Sequence, residues 1–127
     1  MVVDFNDLIP LYTQIADAIE DDILSGKLPE GEKCYSQVVI ARELNINPAT
    51  AAKGIRLLVD RGVLDKVRGQ AMTVHKGAIE MIKKRKIEQT LSGEIEALVA
   101  EAQKLGVPED SLVDKIRECY KGGGKDE

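Results

Sequence analysis

The chain of 127 residues has no tryptophan, one phenylalanine and three tyrosines. So few rigid rings cannot form the stacking platform on which single-stranded bases are laid out, which disfavours a single-strand RNA or DNA binder. Histidine occurs once, at His75, and cysteine twice, at Cys34 and Cys119. Hydrolytic triads and zinc-hydrolase motifs need histidine in a partnered constellation, and structural zinc sites need several ligands at short spacing. The chain has neither pattern, so the expectation is a protein that is not an enzyme and carries no metal and no cofactor. No stretch approaches the roughly 18 apolar residues of a membrane span, and Met1 to Pro10 lacks the basic and apolar regions of a secretory signal. A cytoplasmic protein with two reduced thiols and no membrane partner is expected.

What is present suits a folded protein: 43% of the residues are hydrophobic and 31% charged, and the length allows one domain with a small appendage. The net charge of −4 speaks against nucleic acid only until it is resolved along the chain. Residues 1–33 hold eight acids and two bases, residues 34–90 five acids and eleven bases, and residues 91–127 nine acids and five bases. A basic middle flanked by acidic ends directs attention to residues 34–90.

Leu11, Ile15, Ala18, Ile19 and Ile23 recur at helical spacing opposite Asp17, Glu20, Asp21 and Asp22, which predicts an amphipathic helix over about 11–25. Gly26 supplies a left-handed cap, and Leu28 to Glu32 is turn chemistry. Ser36 is an N-cap for a helix of about two turns from Gln37 to Leu44, with Val39, Ile40 and Leu44 available for burial. Asn47 and Pro48 then combine a good N-cap with a residue suited to the first helical position. The third helix presents Ala51, Ile55, Leu58 and Val59 on one face and stops at Gly62. Two helices joined by a tight turn describe a helix-turn-helix. The β-prone runs Val63 to Val67 and Ala71 to His75 flank Arg68-Gly69-Gln70 as a hairpin with a basic tip, which makes the whole a winged helix.

Helical spacing resumes near Ala78 and continues through Ile79, Ile82, Ile87, Leu91, Ile95, Leu98, Val99, Ala102 and Leu105, until Gly106-Val107-Pro108 breaks it. Leu112, Val113 and Ile116 make a last short helix, and residues 122–127 read as a disordered tail. The expected fold is mainly α with a small β-hairpin: a winged helix-turn-helix over 1–75 and a two-helix dimerisation region over 76–121. The apolar stripe has too little of its own chain to cover it, so Leu91, Ile95, Leu98, Val99, Ala102, Leu105, Leu112 and Ile116 are assigned to a homodimer interface.

The order and spacing of several short motifs resemble the GntR family of bacterial transcription regulators. They are Pro10-Leu11-Tyr12-x-x-Ile15, Ile23-x-Ser25-Gly26-x-Leu28-x-x-Gly31-Glu32, Ser36, Ile40-Ala41-Arg42-Glu43-Leu44-x-Ile46-Asn47-Pro48-x-Thr50 and Gly62-Val63-Leu64 with Arg68-Gly69. The resemblance covers roughly residues 8–75, and the short remainder is similar to the two-helix tail of the small YtrA-like branch. It implies a homodimer that binds a pseudo-palindromic double-stranded DNA operator, as a repressor. By position, Ser36 would hold a phosphate, Thr50 and Lys53 would lie at the major groove, and Arg68 and Gly69 would form the wing tip. Gln37, Arg42, Asn47, Arg56 and Gln70 complete the expected DNA-binding set, and Arg61 and Lys66 are further candidates for neutralising phosphates. Val38 stands where many relatives have arginine, Ala52 where some branches have it, and Ala71 and Thr73 where many have glycine and an aromatic.

Simpler roles are weighed against these. The run Lys83-Lys84-Arg85-Lys86 reads as a solvated helix surface, His75 as structural or exposed, the cysteines as small apolar residues, and Asp65 as hairpin surface. The competing function is a winged-helix protein-interaction module with little affinity for DNA. A small-molecule effector is a further possible partner, placed at the dimer interface or near His75 to Ile82, because two short helices could hardly enclose a pocket.

Overall fold

A computed structural model describes residues 1–124. Helix α1 spans Leu11–Ser25 and buries Ile15, Ala16, Ile19, Glu20 and Ile23. Gly26 ends it with φ of 84°, a left-handed conformation that glycine adopts without a Cβ penalty. Helix α2, Gln37–Leu44, starts at Ser36, whose hydroxyl accepts a hydrogen bond from the Val39 N–H. Its buried pair is Ile40 and Ala41; Val39, expected to be buried, is exposed. An eight-residue helix wedged on one side shows only a narrow stripe to the core, and Val39 lies outside it.

Asn45 turns the chain in the left-handed region, and Asn47 opens helix α3, Pro48–Asp60, by accepting from the Ala49 N–H at 2.8 Å. This helix buries Ala51, Gly54, Ile55 and Leu58. Gly54 is what lets α3 approach α1: a Cβ built there would stand 3.0 Å from both Ile15 Cγ2 and the Tyr12 carbonyl oxygen. Gly62, with φ of 79°, closes α3.

The wing is smaller than its sequence suggests. Strands β1, Leu64–Asp65, and β2, Thr73–Val74, pair antiparallel with Leu64 opposite Val74, and residues 66–72 form the loop between them. The second run has a further partner on its other edge. Cys34 N–H donates to the Met72 carbonyl, Val74 N–H to Glu32, and Gly31 N–H to Val74, with a bridge between Lys33 and Thr73. The loop before α2 thus covers the open edge of β2.

Helix α4, Ala78–Arg85, buries Ala78 and Ile82. Both join the single cluster formed by Ile15, Ile19, Ile23, Ile40, Ile55, Leu58, Val63, Leu64 and Val74. The first compact unit therefore runs from Met1 to Lys84, past the boundary expected at His75.

The second unit begins at Arg85. The backbone passes through a π-helical turn, Lys86–Leu91, into α5, Ser92–Lys104. Ser92 Oγ donates to the Ile87 carbonyl at 3.0 Å inside this turn, a side-chain intrusion of the kind that disturbs regular helical bonding. Helix α6, Glu109–Gly124, is longer than the short helix expected, and Gly122, Gly123 and Gly124 belong to it rather than to a disordered tail. Extending an existing helix costs far less than nucleating one, which offsets the poor helix propensity of glycine. Residues 125–127 of that expected tail lie outside the described residues.

Candidate nucleic-acid interface

Two caps set the helix-turn-helix. Ser36 and Asn47 spend their side-chain oxygens on the first turns of α2 and α3, at 3.2 Å and 2.8 Å. Both remain exposed. A helix N-terminus carries partial positive charge and backbone donors, so each capped start suits an approaching phosphate. Tyr35 anchors the entry to α2, its hydroxyl donating to Asp22 Oδ2 of α1 at 2.7 Å. Burial first, and then the Asp22 carboxylate, push the Tyr35 phenol up to about 12, so it stays a neutral donor. Beside it, burial pushes the Cys34 thiol up to about 11.

The proposed readers are distributed over these elements. Gln37 and Arg42 are exposed on α2, and Lys53 and Arg56 on α3, while Thr50 is half-buried. Arg68, Gly69 and Gln70 are exposed in the wing loop, where Gly69 has φ of 74° and the Gln70 N–H closes a turn onto Val67. All of them fall in the first compact unit.

Two basic residues have intramolecular partners that sequence reasoning missed. Lys53 Nζ sits 4.2 Å from the centroid of the Tyr12 ring, a cation–π contact from α3 to α1. Arg61 was a candidate for phosphate, yet its Nη1 lies 3.2 Å from both Asp17 Oδ1 and the fully buried Glu20 Oε1. Glu20, expected opposite the apolar stripe of α1, is instead fully buried, and the guanidinium of Arg61, at the end of the helix packed against α1, faces it.

His75 Nδ1 lies 3.0 Å from Asp65 Oδ1 across the base of the wing. Glu30 accepts from the Gly77 and Ile79 N–H groups at the start of α4, which holds its carboxyl below the usual range; His75 lowers it further. Among the described residues no three of His, Cys, Asp and Glu gather so as to hold a metal ion, and no helix is long and apolar enough to cross a membrane.

The pattern that defines the bacterial regulatory proteins of the gntR family matches residues 11–74, half of the chain and the whole of the helix-turn-helix and wing. The chain belongs to the GntR family. Over its winged helix it is 34% identical across 61 residues to the HTH-type transcriptional regulator SmoD of Agrobacterium fabrum, a match covering 48% of this chain and 26% of SmoD. The chain thus spans about a quarter of that relative. Its likeness to the HTH-type transcriptional repressor YtrA of Bacillus subtilis extends further, with 26% identity over 121 residues, 93% of this chain and 92% of YtrA. This GntR protein is of the small YtrA-like branch. A GntR family transcriptional regulator from Listeria monocytogenes has the same fold, with a TM-score of 0.73, 27% identity, and coverage of 90% of this chain and 98% of that one.

Proposed function

We propose that the protein is a homodimeric transcription regulator that binds a pseudo-palindromic operator and acts as a repressor in the cytoplasm. The observation that carries this reading is the pairing of two capped helices, α2 and α3, with an exposed Arg68-Gly69-Gln70 loop in one compact unit. In such an arrangement α3 enters the major groove, the start of α2 meets phosphates, and the wing flanks them. Thr50, Lys53 and Arg56 read or approach bases; Ser36, Gln37, Arg42, Asn47, Arg68, Gly69 and Gln70 hold the backbone. The near full-length similarity to a protein named a repressor supports the direction of control.

The exposed apolar residues of the second unit support the dimer reading. Leu91, Ile95, Leu98, Val99, Leu105 and Ile116 are exposed, with Ile95 51% and Leu105 67% accessible, whereas Ala102 is already buried within the chain and Leu112 is half-buried. An apolar surface of this extent on one short unit is a self-association surface. Two-fold symmetry would set the recognition helices about 34 Å apart on successive major grooves. An effector would find room in the groove of about 360 Å³ between α5 and α6, lined by Val99, Ala102, Val107, Leu112, Val113 and Ile116 with Gln103 and Glu109 as its polar members. That volume is within the range of small-molecule sites, so the two C-terminal helices of one chain supply more than their lengths suggest.

The test is footprinting on inverted repeats selected from random DNA. Protection of two half-sites related by dyad symmetry is expected; binding indifferent to sequence would refute the reading. A second reading has its own observation. Val38, 53% accessible, and Val39 put two apolar side chains on the exposed side of α2, where a protein partner could seat. A protein-only module would show almost no dependence of DNA binding on salt, whereas an operator binder shows a steep one.

A further inference from the structure

Residues 31–36, between α1 and α2, serve two elements at once. On one side they line the edge of β2: Gly31 N–H donates to the Val74 carbonyl at 2.7 Å, Val74 N–H to the Glu32 carbonyl at 2.9 Å, and Cys34 N–H to the Met72 carbonyl at 2.8 Å. Met72 ends the wing loop, so the second strand of the wing is held by this segment as well as by β1. On the other side, Ser36 caps α2 through the Val39 N–H. The wing strand and the start of α2 therefore hang on one stretch of backbone, with Tyr35 alone between Cys34 and the cap.

Tyr35 fastens that stretch to the rest of the unit. Its hydroxyl donates at 2.7 Å to Oδ2 of Asp22, 13 residues back on α1. Asp22 precedes Ile23, which has no accessible surface, so the acceptor sits on a helix that cannot shift without opening the core. A hydrogen bond to a carboxylate is stronger than one between neutral groups. Burial and the Asp22 carboxylate keep the phenol protonated, so the donor persists across the pH range in which DNA is bound. Cys34, buried in the core cluster, fixes the depth of the segment. Tyr35 fixes the direction in which the chain then enters α2.

We infer that Tyr35 is a positioning residue for phosphate contact: its bond to Asp22 sets residues 31–36 so that the capped start of α2 meets the DNA backbone. The inference rests on the DNA reading proposed above and lies wholly within the first compact unit. Backbone amides at a helix start bind an anion only when they point at it, and a start freed from Asp22 spreads those donors over many directions. The loss falls on a phosphate and carries no base preference.

The experiment uses the full chain and an operator selected from random DNA, titrated by gel shift over a range of salt. Tyr35→Phe removes one hydroxyl and keeps the ring. It is expected to weaken operator binding about fivefold, to lower the slope of log affinity against log salt by about 0.9 per half-site, and to leave the preference for the operator over other sequences unchanged. A variant that is merely part-unfolded binds less at every salt with the slope intact. Asp22→Asn keeps an acceptor oxygen for the phenol and should retain the wild-type slope, whereas Asp22→Ala should lose as much slope as Tyr35→Phe. The double variant should lose no more slope than either single one, and the charge removed with Asp22 is the same in both backgrounds and cancels in the cycle. A slope unchanged in both Tyr35→Phe and Asp22→Ala overturns the inference, and so do two losses that simply add. A wild-type protein that binds all sequences alike overturns the DNA reading itself, and that outcome is seen before any variant is made.

Discussion

Lys53 of α3 holds its ammonium 4.2 Å from the centre of the Tyr12 ring of α1. The ring therefore limits the directions in which this lysine can point toward a major groove. Replacing Lys53 with alanine is expected to weaken operator binding by about 1 to 2 kcal/mol, the range of one lost base or phosphate contact. Tyr12→Phe keeps a π face and should bind nearly as the wild type does. Tyr12→Leu removes the ring and should cost about 0.5 to 1 kcal/mol of binding only while Lys53 is present. Gel-shift titrations arranged as a double-mutant cycle measure that coupling; a coupling of zero would mean that the contact has no part in DNA binding.

Arg61 and Arg56 look alike in sequence but differ in what they face. Arg61 bonds Asp17 and the buried Glu20, while Arg56 is exposed on α3. Removing the guanidinium that faces a buried carboxylate is costly, so Arg61→Ala is expected to lower unfolding free energy by roughly 2 to 4 kcal/mol. Arg56→Ala should leave stability within about 0.5 kcal/mol and act on DNA binding instead. Urea denaturation of the two variants separates them. Equal stability would show that the Arg61 pair contributes nothing to the fold.

Much of the first unit was legible in the sequence because its boundaries are written in single residues. Gly26, Ser36 and Asn47-Pro48 cap their helices as their chemistry requires, and the end of α1 and the starts of α2 and α3 fall where those residues stand. What escaped was long-range. Nothing near Lys33 in sequence says that it will bridge Thr73, and nothing near Glu30 announces two amides at Gly77 and Ile79. The exposure of Val39 was hidden for a related reason: a two-turn helix has too few residues for its apolar period to separate Val39 from the buried Ile40 beside it. The π-helical turn depends on a single Ser92 hydroxyl reaching back to Ile87, a choice that apolar spacing does not record.

Gly54 illustrates a substitution in which two effects oppose. Alanine would raise helix propensity by about 1 kcal/mol in α3. Its Cβ would also stand 3.0 Å from the Tyr12 carbonyl oxygen and from Ile15 Cγ2, and the first of these is backbone that cannot swing away. Overpacking of this kind costs about 1 to 3 kcal/mol, so the contact wins and Gly54→Ala is expected to destabilise by about 1 kcal/mol net. Thermal unfolding checks the sign; a stabilised variant would show that α1 can retreat from α3 without penalty.

The wing makes an electrostatic prediction. Arg68 is exposed in the loop 66–72, with Gly69 beside it in a left-handed conformation. If Arg68 neutralises one phosphate, Arg68→Ala should reduce the slope of log affinity against log salt by about 0.9 and weaken all sequences alike. Loss of discrimination at one base pair, with the slope unchanged, would instead assign Arg68 to base reading in the minor groove.

Cys34 and Tyr35 stand together at the entry to α2, and both favour their neutral forms in the folded protein. Burial pushes the thiol from its ordinary 9.0 to about 11, and burial with Asp22 pushes the phenol from 10.0 to about 12. A group whose folded value is raised in this way lends stability below its unfolded value and withdraws it as pH climbs toward the folded one. Stability should therefore be flat from neutral pH to about 9 and fall from there to about 12. The buried Cys34 should also react slowly with a disulfide reagent at pH 8, whereas Cys119, exposed on α6, reacts fast. Cys119→Ser should abolish the fast phase and leave the slow one, and a fast phase that survives the substitution would place the Cys34 thiol within reach of solvent.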